Sequence, residues 1–444
     1  MGTKLLLFDD LKGNFGPLTD RRPAFQLRTG SNTIATRISR ALELPIAALY
    51  CAKHLPPLLA ELYPNIPINQ PFYEPDIIAV NGRWNALHHI HAIKSLPLGS
   101  ALVCSQSSHV IAVRDSAENL TLVAEAQFDP DSLSDHLKIA TLDPVPINMT
   151  TPQVTASKLD NIPDNSKDYL PPLLSRPWHI HDQLPQTLLT DLAHNNLPVI
   201  HPEEHINITA FGSHPMRVAS TARLHPYVVV DAQYGPVVID EYAEINPLTV
   251  LQGPCYIGPH SVLVSHTSIR RNTVVGPWCK LGGEIGSAII QGYSNKVHDG
   301  FLGAALVGEW VNLGADTNVS NLKNTYGSVR IQLGPDEEPQ DTNRTFHGPI
   351  IGDFVRTGIG TRVNTGAVLG TGCMFAGSHF TPKSAAPFGF YTDGPDGMVR
   401  SEYDLEKFIH TAKTMMARRD RTLTYAEECY LRELHAKNNP PVTT

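Results

Sequence analysis

Long apolar runs are missing from this chain of 444 residues: no stretch approaches the roughly 20 residues that a membrane-spanning helix needs. The start, Met1 to Lys4, passes directly into a short apolar run ending at Asp9, without the pattern of a secretion signal. Positive charge is scarce as well. Lys and Arg number 35 against 43 Asp and Glu, a formal net charge of -8, which argues against a basic surface for nucleic acid or membrane. Cysteine is sparse and lacks metal spacing: Cys51, Cys104, Cys255, Cys279, Cys373 and Cys429 read as reduced thiols of a cytoplasmic protein. Proline, in contrast, is plentiful at 36 residues, and its concentration in the first half predicts short elements joined by ordered turns. With 41% hydrophobic residues, the length allows two or three domains with cores of their own.

What is present is a six-residue rhythm. Ile239, Ile245, Leu251, Ile257, Leu263, Ile269, Val275 and Leu281 are aliphatic at every sixth position, without a miss. Neither a flat strand nor a helix has that period. It fits a solenoid with three short strands per coil, the aliphatic residues stacked down the inside. Val307 and Leu313 continue the spacing, as do Ile351, Thr357, Val363, Leu369 and Phe375. Between these runs, Thr317 to Pro349 breaks it; within that excursion Tyr326 to Leu333 alternates like a strand and 334–344 is polar. Beyond Phe375 the rhythm is expected to end, with turns at Ser378–Lys383 and Gly389–Gly397 and helices over 402–416 and Tyr425–Asn438.

The first half reads differently. Strands are predicted at Lys4–Phe8, Ile46–Cys51, Ile66–Ile68, Ile77–Asn81, Ala101–Cys104 and Val110–Val113, with helices at Thr33–Leu42 and Leu55–Leu62. Such alternation predicts a mostly parallel sheet with helices on both faces and a ligand crevice after Phe8, at the strands' C-terminal ends. From 114 to 175 the pattern is less clear, with Leu133–Leu137 helical and many prolines. A helix over Gln183–His194 is expected to join the domains, and Pro198–Ala210 to begin the second.

The beginning of the chain resembles the sugar-1-phosphate nucleotidyltransferases. Pro17, Leu18, Thr19 and Pro23 stand in that family's order after the first strand. The family's glycine-rich loop is replaced by Asp9 to Gly16, its lysine by Ala24, and Arg83 stands where it carries a metal-binding aspartate. Nucleotidyl transfer needs Mg2+ and positive charge around a triphosphate. Arg21, Arg22 and Arg28 are the candidates for that charge, and Asp9 and Asp10 for the metal.

The second half resembles the left-handed parallel β-helix acyltransferases. Over Gly292–Gly303 and Gly308–Asn321 it looks like the acetyltransferase half of the bifunctional UDP-N-acetylglucosamine enzyme, in particular its divergent bacterial relatives. The resemblance implies a homotrimer with acetyl-CoA or a related acyl-CoA bound between solenoids. It places His298 on the catalytic base and Glu284, fourteen residues earlier, on the carboxylate that orients it. Asn312 and Asn321 fall on acceptor-binding positions, and the Ala315 amide on the donor facing the thioester carbonyl. Lys280 stands for an arginine that grips the sugar phosphate, and Phe301 for a sugar-contacting tyrosine, so the acceptor is expected to be a related sugar.

The expected architecture is therefore an α/β nucleotidyltransferase-like domain over 1–175, a linker helix over 176–200, a left-handed β-helix acyltransferase domain over 201–400 and a helical segment over 401–444. The function implied is acyl transfer to an amino sugar 1-phosphate, joined to a nucleotidyltransferase or its degenerate descendant. Two alternatives stay open: a nucleotidyltransferase whose β-helix only assembles the trimer, and a non-catalytic sugar-nucleotide-binding scaffold.

Overall fold

The computed structural model describes residues 2–125, 137–143, 145–146, 169–200 and 208–439. The chain forms two compact units, one of 1–15 with 21–187 and one of 16–20 with 188–444. Most of the expected helix at Leu133–Leu137, and 201–207 of the expected beginning of the second domain, lie outside the described residues.

The first unit is built on β1 (Lys4–Phe8), α1 (Ile34–Leu42), β2 (Ile46–Tyr50), α2 (Pro56–Leu62), β3 (Ile77–Asn81), α3 (Ile90–Lys94), β4 (Ser100–Cys104), β5 (Val110–Asp115), α4 (Ala117–Glu125) and β6 (Lys138–Leu142). The sheet order is β2-β1-β3-β5-β4-β6. Strand β1 is parallel to β2 and β3, and β4 to β6, but β5 runs antiparallel to both neighbours. The sheet is thus mixed rather than mostly parallel. The link from Ser105 to His109 is too short for a crossover, so β4 and β5 have to form a hairpin. Ile66–Ile68 contributes a single bridge, Leu49 to Ile68, instead of a strand. Pro64 and Pro67 remove the N–H groups that a ladder there would use. Helix α1 begins where Thr33 Oγ1 accepts the Thr36 N–H at 3.3 Å, and ends at Glu43 in the left-handed region.

Helix α5 (Pro177–Ala193) opens on a proline at its first position, and the boundary between the units falls within it. No described helix is long and apolar enough to cross a membrane.

The second unit is a parallel β-helix. Three sheets run along it, of nine, five and six strands, and every pairing within the nine-, five- and six-stranded sheets is parallel. The register steps one coil at a time, Ile239 to Ile257 to Val275 on one face and Ile245 to Leu263 to Leu281 on the next. All eight hexad residues from Ile239 to Leu281 are at most 1% exposed. This inner column is the core.

Two details depart from the expected rhythm. Strand pairing persists to Asn318–Val319 before the chain leaves the coil, and the excursion holds a small antiparallel pair, Arg330–Ile331 with Gln340–Asp341, in place of a strand over Tyr326–Leu333. Past Phe375 the coil goes on rather than ending. Tyr391 stacks on Phe375 with ring centroids 4.9 Å apart, and Gly389–Gly394 pairs with Gly397–Glu402 as a hairpin where turns were expected. A tyrosine in an aliphatic column and alternation hidden by glycines concealed both features. Helices α6 (Leu405–Ala417) and α7 (Tyr425–Asn438) complete the unit, the second opened by a Thr424–Glu427 capping box.

Candidate active site

The solenoid's coils are not uniform, and the irregular one carries the candidate chemistry. After Leu281 the register pairs Val275 with Ile290 and Leu281 with Lys296, three residues fewer than a regular coil. Two of the three are lost at Gly282 and Gly283, where Gly283 has φ +77° and a Cβ would lie 3.0 Å from Lys296 Nζ, and the third between Ile285 and Ile290. Lys296 therefore takes an inward position beneath Leu281 and is only 2% exposed. Its ammonium donates to the carbonyls of Gly282 (3.1 Å), His298 (3.0 Å) and Asp299 (3.1 Å), and burial pushes it down to about 8. A buried cation thus ties down the backbone of the turn that holds His298 outward, exposed to solvent. The sequence reading missed Lys296, although the six-residue steps Ile290, Lys296, Leu302 contain it.

The other solenoid candidates fall on two faces that meet at this corner. On one, Glu284 pairs directly with Phe301 in the ladder. The Phe301 ring and the Asn321 amide converge on Gly303, whose Cβ would come within 2.2 Å of Phe301 Cζ and 2.8 Å of Asn321 Nδ2. The Glu284 carboxylate is held by Arg270, Nη2 to Oε1 at 2.9 Å, and among the described residues no ion pair joins it to His298. Arg270 was another omission. Aligning the column at Ile269 and Ile285 places it one coil from Gly286, beside the Glu284 strand.

Lys280 lies on the other face. Lys280, Asn295, Asn312 and Arg356 form successive rungs there, with Asn295 Nδ2 donating to Asn312 Oδ1 at 2.8 Å. These residues line a cavity of about 400 Å³ whose opposite wall is α6. The structure brings Lys280 to Asn312, and Glu284 to Phe301 and Asn321; it does not bring Lys280 beside Glu284. His298 stands three residues from both Asn295 and Phe301 in sequence, so extended chain keeps each face within about 11 Å of it, Cα to Cα.

Ala315 occupies a tight corner between Gly314 and Asp316, the latter at φ 56°. Equivalent corners place Pro247, Pro259 and Pro277 just before a positive-φ residue. Alanine instead of proline keeps an N–H at Ala315, and among the described residues it meets no acceptor, while its carbonyl accepts from Gly360 at 2.8 Å. That is a free donor of the kind an oxyanion requires.

In the first unit the candidates are already occupied. Arg83, 0% exposed, grips Asp10 bidentately, Nε to Oδ1 at 2.8 Å and Nη2 to Oδ2 at 2.6 Å. It also donates to Leu174 O and Ser175 Oγ, and its Nη2 lies 2.9 Å from His109 Nδ1. Against the upward push of burial, Arg83, Asn81 and the Lys12 amide hold the Asp10 carboxyl below its ordinary value. Burial raises Asp9, whose oxygens take the Ala24 and Leu11 amides at 2.7 and 3.0 Å. Mg2+ does not fit these two acids, because the Arg83 guanidinium already holds both oxygens of Asp10 and backbone amides take those of Asp9. No group of three or more metal-ligating side chains occurs among the described residues. Arg21 and Arg22 are each 8% exposed, and Arg28 donates to the Ser31 carbonyl of its own loop. Gly16–Asp20, which holds Pro17, Leu18 and Thr19, clusters with the second unit, where Thr371 Oγ1 donates to Asp20 Oδ2 at 2.6 Å.

The chain is similar to several known proteins. Residues 5–196 match the family model described as sugar nucleotidyl transferase. The bifunctional protein GlmU of Methanococcus aeolicus is 32% identical over 148 residues, 32% of this chain and 35% of that protein. A bifunctional sugar-1-phosphate nucleotidylyltransferase/acetyltransferase of Sulfurisphaera tokodaii is 30% identical over 142 residues, covering 31% and 34%. The chain spans about a third of the length of these curated relatives. Among solved structures, the UDP-N-acetylglucosamine acyltransferase of Francisella novicida is similar to 53% of this chain over 86% of its own, at 15% identity and a TM-score of 0.32. The architecture is a nucleotidyltransferase-like α/β unit followed by a parallel β-solenoid with C-terminal helices.

Proposed function

We propose that this chain transfers an acyl group from acyl-CoA to the amine of an amino sugar 1-phosphate, working as a cytoplasmic homotrimer with His298 as base. The observation that carries the reading is the corner at Lys296–Phe301, where a buried ammonium anchors an outward histidine beside two faces of polar, sugar-sized contacts. The imidazole takes a proton from the amine as nitrogen attacks the thioester carbonyl. The C–N bond forms, the C–S bond breaks, and the CoA thiolate leaves. Ala315 N–H donates to the oxygen that gains charge in between. Asn312 and Asn321 hold the sugar, with Phe301 packing against it and Lys280 attracting its phosphate. Glu284 acts through Arg270, its partner at 2.9 Å, and sets the charge beside Phe301. Release of free CoA from acetyl-CoA, with a panel of amino sugars and their 1-phosphates, tests this. His298→Ala is expected to lower turnover by about 10²–10⁴-fold; unchanged turnover, or no acceptor in the panel, counts against it.

The first unit reads as a descendant of a sugar-1-phosphate nucleotidyltransferase that handles sugar nucleotides without metal at Asp9 and Asp10. The bidentate Arg83–Asp10 pair favours this over an intact activity. Pyrophosphate release from nucleoside triphosphates and sugar 1-phosphates in Mg2+ is the test. Rapid release would overturn the reading.

A further inference from the structure

We infer that the cavity beneath α6 is a binding site for a phosphate monoester, with Arg356 as its principal ligand and Arg418 and Lys280 beside it. Arg356 is 7% exposed and lines the cavity, yet among the described residues its Nε and Nη2 meet no acceptor. Its neighbours are neutral: the guanidinium carbon lies 5.5 Å from the Tyr403 centroid and 5.9 Å from that of Phe408, and Tyr403 shares a side-chain hydrogen bond with it that leaves the Nε–Nη2 edge unmet. A guanidinium keeps its proton in proteins, so burial cannot neutralise it. A buried cation without a counter-ion is costly, and an anion entering the cavity removes that cost.

The other cavity walls point the same way. Lys280, Arg418 and Arg419 line it along with Arg356, and among the described residues no Asp or Glu does, in a chain whose net charge is -8. Four positive groups without an acid call for more than one negative charge, which a phosphate monoester carries near neutral pH. The unsatisfied edge of Arg356 offers the planar fork that phosphate oxygens accept. Arg419 Nε donates to the Trp278 carbonyl at 3.4 Å and so ties the turn after α6 to the solenoid. Tyr293 and Trp310, stacked 4.4 Å apart, provide an apolar wall for the ester's organic part. Arg356 and α6 had no role in the expected site. Whether the phosphate is the acceptor's own or that of a second ligand depends on the acyl-transfer reading, because Lys280 and Asn312 belong to both. The anion site itself does not depend on it.

Inorganic phosphate is the first probe, titrated calorimetrically at low ionic strength into the full chain. Saturable binding is expected, weakened about tenfold or more by Arg356→Met and by Arg418→Gln, and retained by His298→Ala. Arg418 is exposed, so its variant tests the site without disturbing the core. The proposal is overturned if native protein does not bind phosphate saturably, or if both arginine variants bind as native does. Acyl-transfer kinetics then identify the source. A rise in KM for the amino sugar 1-phosphate in Arg418→Gln, with no rise for the unphosphorylated sugar, assigns the site to the acceptor. Lost phosphate binding with unchanged acceptor kinetics assigns it to a separate phosphorylated ligand. Failure of acyl transfer altogether would leave the calorimetric result standing, so the two readings fail separately.

Discussion

Lys296 makes solenoid stability depend on alkaline pH in a way that one substitution removes. The ammonium sits at an inward position of a column made mostly of apolar residues, and burial pushes it down to about 8. In the unfolded chain a lysine titrates near 10.4. Below pH 8 both states carry the proton, and the cost of burying the charge is fully present. Between about 8 and 10.4 the folded state releases its proton while the unfolded state keeps one, so stability rises with pH and levels off above that window. A difference of roughly 2.4 pKa units corresponds to about 3 kcal/mol. Lys296→Met lacks this contribution. Native protein and variant are therefore compared by urea unfolding at pH 7.5 and 10.5, where other titrating groups cancel. The native protein is expected to gain about 3 kcal/mol relative to the variant across that interval. Parallel profiles, with the difference constant to within about 0.5 kcal/mol, would show that the ammonium is not buried as described. The variant also leaves the Gly282, His298 and Asp299 carbonyls without their donor, so acyl transfer is expected to fall through loss of the His298 turn.

Other expectations can be checked independently. Ala315→Pro should preserve the fold, since Pro247, Pro259 and Pro277 take the same place before a positive-φ residue at other corners, but remove the free N–H; kcat is expected to drop about 10²–10³-fold with little change in melting temperature, and an unaltered kcat would exclude the amide as oxyanion donor. Arg83→Ala strands the Asp10 carboxylate in the interior and should cost about 3–5 kcal/mol by denaturant unfolding, whereas the apolar pair Arg83→Met with Asp10→Leu should recover most of that loss. Ile257→Ala empties a fully buried site between two coils and should destabilise the solenoid by about 2–5 kcal/mol, measured the same way.

The six-residue column was legible because each hexad residue from Ile239 to Leu281 is used in the same way, pointing inward against the residue one coil away. Periodic burial leaves a periodic record in the sequence. Strands β1 and β3 were legible for a related reason: central strands of a sheet bury both faces and appear as unbroken apolar runs. The antiparallel placement of β5 was not, because strand direction depends on which neighbours a strand finds, and apolar content is the same either way. Lys296 was hidden because the local composition of its turn reads as polar surface; only the three-residue shortening of its coil turns it inward. Resemblance placed Glu284 beside His298 and Lys280 near the acceptor phosphate, but the coil register decides which face each side chain occupies. It gives Glu284 to Arg270 and sets Lys280 in line with Asn312 and Arg356. The partners Asp10–Arg83 are 73 residues apart and Asn312–Arg356 are 44 apart, so folding alone brings each pair together. The sequence by itself determined the repeating core and the residue types available for chemistry. Tertiary structure decided which charges are paired, which are buried, and which remain open to a ligand, because those depend on distances that the linear order does not contain.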